Sequence, residues 1–63
     1  MHRLMLEFKT IYGVTWVGEK LLKYGELAEY LRHAAKVVKY HKIILKLVVK
    51  DQLGNVLGTF ERG

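Results

Sequence analysis

Glu29 and His33 stand four residues apart, the spacing at which two side chains on one helix face can share a metal ion. His41 lies further along, His2 sits at the chain start, and no third ligand completes a site, so a surface pair is the simpler reading. Nucleophilic chemistry has little material. The sequence contains neither serine nor cysteine, which leaves Thr10, Thr15, Thr59 and the lysines. Glu7, Glu19 and Asp51 are carboxylates without a spacing that links them as acid and base. No Gly-Lys-Thr or Gly-x-Gly-x-x-Gly run is available to cradle a phosphate. The expectation is a protein that is not an enzyme and holds no metal or cofactor.

What the side chains do offer is positive charge. Eleven Lys and Arg stand against six Asp and Glu, a formal charge of +5. Over residues 1–31 the bases Arg3, Lys9, Lys20 and Lys23 are balanced by Glu7, Glu19, Glu26 and Glu29. Residues 32–50 hold Arg32, Lys36, Lys39, Lys42, Lys46 and Lys50 with no acid at all, and residues 51–63 set Arg62 against Asp51 and Glu61. The whole excess therefore falls in one segment, beside His33 and His41. Such asymmetry points to a partner rich in phosphate. The reading that follows is a small basic nucleic-acid-binding protein, salt-sensitive, contacting the backbone through those six residues with little sequence readout. The same composition also suits a solvated face that keeps a small protein soluble.

The elements that position these residues follow from periodicity. In Leu4–Tyr12, Leu4, Leu6 and Phe8 alternate with Glu7 and Lys9, the pattern of a half-buried strand. Val14-Thr15-Trp16-Val17 reads as a second strand that continues through Gly18, where a bulge is expected, toward Leu22. The hairpin turn falls at Tyr12-Gly13 or at Gly18-Glu19, and the pattern fits both. After Gly25 a helix starts near Glu26, with Leu27, Tyr30, Leu31, Ala34, Val37 and Val38 in one apolar stripe. Glu26 and Glu29 near its start and Lys36 and Lys39 near its end suit the helix dipole. From His41 the period becomes two: Ile43, Leu45, Leu47 and Val49 point inward, while Lys42, Ile44, Lys46, Val48 and Lys50 point outward. Asp51–Asn55 carries turn chemistry, and Val56–Phe60 forms a closing strand with Val56 and Phe60 inward. A rival reading runs one basic helix from 26 to 50, because Arg32, Lys36, Lys39, Lys42, Lys46 and Lys50 also fit a helical period.

The fold class expected is α+β: a single domain over 1–63 in the order β-β-α-β-β, one helix packed on a four-stranded, largely antiparallel sheet. This two-layer sandwich places Arg32, Lys36 and Lys39 on the helix and Lys42, Lys46 and Lys50 on the far sheet face. It also exposes Ile44 and Val48 among those lysines, an apolar pair suited to an interface. Trp16 is expected as an aromatic packed at the edge of the core. A domain this small, without cysteine, often gains stability from a second copy or a protein partner. In element order alone the chain resembles small phage-encoded regulators, which implies a second function: a protein-interaction module, dimeric or docked on a host protein. No stretch is apolar for long enough to span a bilayer, and a cytoplasmic location is expected.

Overall fold

The alternating run at the start of the chain is a strand, β1 (His2–Thr10), and Leu4 and Leu6 are buried on one of its faces. In the computed structural model, which describes residues 1–62, it is followed by β2 (Thr15–Leu22), α1 (Leu27–Tyr40), β3 (Ile44–Lys50) and β4 (Val56–Glu61). The strands form one antiparallel sheet in the order β2-β1-β3-β4. The chain is therefore an α+β fold, β-β-α-β-β. The helix ends at Tyr40 and β3 starts at Ile44, which excludes a continuous helix from 26 to 50.

The first hairpin turns at Tyr12-Gly13. Gly13 takes φ +78°, Thr10 N–H donates to Val14 O at 3.0 Å, and Gly13 N–H donates to Thr10 O at 3.1 Å. Left-handed φ is accessible to glycine at little cost. Thr10 is buried, and its hydroxyl lies within hydrogen-bond reach of both Val14 O and Tyr12 N–H. From Lys9↔Thr15 to His2↔Leu22 the register runs without interruption, so Gly18 makes no bulge.

The bulges lie elsewhere, and each moves side chains between faces. β1 pairs Lys9 with Lys46 but Thr10 with Ile44, so Leu45 is the extra residue. Ile44 thereby turns inward and is 7% exposed, a core residue beside Leu47 and Val49. The expectation that Ile44 is an exposed interface residue is overturned, because strict alternation from Ile43 does not survive the bulge. Leu45, expected inside, is only partly buried and lies outside the core cluster. Lys42 precedes the strand in a turn rather than standing on its outer face. In the second hairpin Val49 pairs with Gly58 but Lys50 with Val56. Leu57, not Val56, therefore packs against the core, and Val56 is exposed.

The stripe of α1 is fully used: Ala34 and Val38 are buried, and Leu27, Tyr30, Leu31 and Val37 pack against the core. Glu26 precedes the first turn, and its Oε1 accepts a 2.8 Å bond from Lys23 N–H. The helix lies over β3 and β4. Gly58 admits it closely: a Cβ there would stand 3.1 Å from the Phe60 ring and 3.3 Å from Leu31 Cδ2.

Arg62 ties the chain end to the helix end. Its Nε and Nη2 donate to Val38 O at 3.3 and 3.0 Å, and Nη1 donates to Lys42 O at 3.0 Å. A cation on the last carbonyls of a helix satisfies acceptors that have no intrahelical partner and complements the dipole. Arg62→Ala is expected to cost about 2 kcal/mol, as for hydrogen bonds from a charged group. Calorimetry should then show a melting point roughly 10 °C lower.

Asp51 organises the β3–β4 turn. Its Oδ1 accepts from Leu53 N–H and Asn55 N–H, both at 2.9 Å, and its Oδ2 accepts from Asn55 Nδ2 at 3.0 Å. The Asn55 side chain, then its backbone N–H, holds the Asp51 carboxyl below its ordinary value. A lowered folded value means stabilisation present above the unfolded pKa of about 3.9 and lost as the pH falls through the folded value. In acid titrations followed by thermal melts, Asp51→Ala should therefore lose less stability than wild type on acidification. Equal losses would remove this role from Asp51.

Candidate nucleic-acid interface

Five of the six bases of the 32–50 segment fall into two sets on opposite sides of the molecule, and Lys42 lies in the turn between helix and strand. Arg32, Lys36 and Lys39 lie on α1 opposite the Leu27, Leu31, Ala34 and Val38 side that packs on the sheet, and all three are exposed. Seven residue rises separate the ends of this stripe, about 10 Å at 1.5 Å per residue. Lys42 is exposed just beyond the helix end. Among the described residues, no carboxylate comes within ion-pair distance of these four. Glu29 shares the surface with Arg32, His33 and Lys36 but forms no such pair. Lys39 Nζ lies 5.5 Å from the Tyr40 ring centroid, within cation–π range.

Lys46 and Lys50 have a different setting. They alternate with Val48 on the sheet face away from the helix, and each meets an acid from a neighbouring strand. Lys46 Nζ is 3.4 Å from Glu61, its direct cross-strand partner, and Lys50 Nζ is 3.0 Å from Glu7. Arg3 and Glu19 add a looser 3.9 Å pair between β1 and β2. Exposed pairs of this kind add little stability, yet they largely cancel the charge a distant phosphate would feel. Val48 is half-buried in this laced face rather than standing free.

Sequence reasoning missed these partners because Glu7 and Glu61 are remote along the chain and meet the lysines only through the register. It also missed Arg62, whose three side-chain hydrogen bonds to helix-end and turn carbonyls assign it to the framework. Trp16, expected at the core edge, is 53% exposed and outside the core cluster. It pairs with Phe8 on the helix side of the sheet, where an open groove between β2 and α1 is lined by Phe8, Lys20, Tyr30, His33 and Val37. Partial burial raises the Tyr30 phenol above its ordinary pKa.

Among the described residues there is no group of three or more His, Asp or Glu side chains able to hold a metal, and no helix is long and apolar enough to cross a membrane. No family model matches the chain, and no curated protein or solved structure matches it significantly.

Proposed function

We propose that the protein binds nucleic acid through phosphate contacts from Arg32, Lys36, Lys39 and Lys42, with little readout of sequence. The observation that supports this is the separation of free from neutralised charge. Arg32, Lys36 and Lys39 share one helix face and Lys42 follows the helix end, all four without carboxylate partners among the described residues, whereas Lys46 and Lys50 are engaged by Glu61 and Glu7. A short line of cations on a rigid helix follows a phosphate backbone, and each contact releases counterions.

Fluorescence anisotropy with labelled duplex DNA, single-stranded DNA and RNA, titrated at low and at physiological salt, tests the reading. Four phosphate contacts imply a log–log salt slope of up to about −3.6 on duplex DNA, from roughly −0.9 per contact. Absence of binding to all three at low salt would reduce the stripe to a solvated surface.

A further inference from the structure

We infer that the free edge of β2 is an interface with a second copy of the same chain, paired antiparallel about a two-fold axis at Gly18. β2 is an edge strand of eight residues with no bulge and no proline. Since Thr10 N–H donates to Val14 O, and the register continues unbroken, the even-numbered residues of β2 direct their backbone groups toward β1. Thr15, Val17, Glu19 and Leu21 consequently present their N–H and C=O groups outward. An unpaired row of this kind is a template for another strand.

The side chains support the same conclusion. Trp16, Val17 and Leu21 are 53%, 67% and 55% exposed, on both faces of one strand. The helix makes its close contacts with β3 and β4 and leaves Trp16 uncovered. The other edge, β4, is shorter and bulged, which suits it less to continuous pairing.

Charge is compatible with this occupant and disfavours one neighbouring register. With the axis at Gly18, the hydrogen-bonded pairs are Thr15 with Leu21 and Val17 with Glu19 of the second copy, each occurring twice. On the helix side Trp16 faces Lys20, an indole against a cation and its aliphatic stem, and Gly18 faces Gly18. No like charges stand directly opposite each other. Sliding the axis to Glu19 would set two carboxylates directly opposite each other, which is unfavourable. Paired residues have the same parity, so both helices lie on one side of an eight-stranded sheet.

Sedimentation equilibrium provides the test, independently of any nucleic acid. Wild type at about 100 µM, where a Kd of ~10 µM would leave most chains paired, should approach twice the 7.3 kDa chain mass. Val17→Pro removes an outward N–H and no bond to β1. It should return the mass to a single chain while the circular dichroism stays native. If that variant does not fold, Val17→Glu and Val17→Lys decide. Glutamate would oppose Glu19 of the second copy, as well as Glu7 of its own chain, and give a monomer, and lysine would pair with both and keep the dimer. A monomeric wild type, a folded dimeric Val17→Pro, or equal masses for the Glu and Lys variants would overturn the inference.

Discussion

Ile44→Asp is expected to leave no folded protein at room temperature. Ile44 is 7% exposed and packed in the cluster of Leu4, Leu6, Leu47 and Val49. Truncating such a side chain costs about 2–5 kcal/mol through lost transfer energy and the cavity. The aspartate adds the cost of burying a carboxylate among the apolar side chains of that cluster. A chain of this size has roughly 3–9 kcal/mol in all, at 0.05–0.15 per residue, so the substitution consumes most or all of it. Val48→Thr on the opposite face keeps a β-branched side chain at a half-buried site and should cost under about 1 kcal/mol. Urea titrations followed by circular dichroism distinguish the two. A folded Ile44→Asp chain would mean that the bulge at Leu45 is absent and Ile44 faces outward.

Neutralising the helix stripe should have the other large effect. Lys36→Gln with Lys39→Gln removes two of four proposed phosphate contacts and is expected to lower affinity for duplex DNA by at least ~10-fold at low salt, with the salt slope reduced by about 1.8. The helix should persist, because glutamine is a good helix former and the lost dipole complement at Lys39 is about 0.3–1 kcal/mol. Lys46→Gln with Lys50→Gln removes the same formal charge from the opposite face. It should leave the slope unchanged, since Glu61 and Glu7 already engage those lysines. Equal slopes for the two double variants would show that binding follows net charge rather than the stripe.

The element order was legible because each segment carries a strong local period. The six apolar residues of the helix stripe and the alternation of Leu4, Leu6 and Phe8 both reappear as buried or core-packed positions. The faces of β3 and β4 were less legible. Two register shifts, at Leu45 and Leu57, depend on how strands separated in sequence come to pair, and no local pattern around Ile44 announces them. The division of the bases has the same cause. Arg32, Lys36 and Lys39 could be grouped from helical spacing alone, whereas the neutralisation of Lys46 and Lys50 required knowing which acids lie across the sheet. Trp16 was misjudged because the helix lies over β3 and β4 and leaves the β2 edge bare.

The strand order also constrains how the chain reaches this state. β1 with β2 and β3 with β4 are hairpins closed by short turns, and such units form quickly from neighbouring residues. The seam between β1 and β3 is different: it joins Met5 to Lys50 and Phe8 to Leu47, with the second strand and the whole helix looped between them. Closing that loop carries the largest entropy loss in the topology, and the contacts that compensate for it arrive only once the seam has formed. Joining two preformed hairpins along their central strands is thus the most demanding event in assembling the native chain.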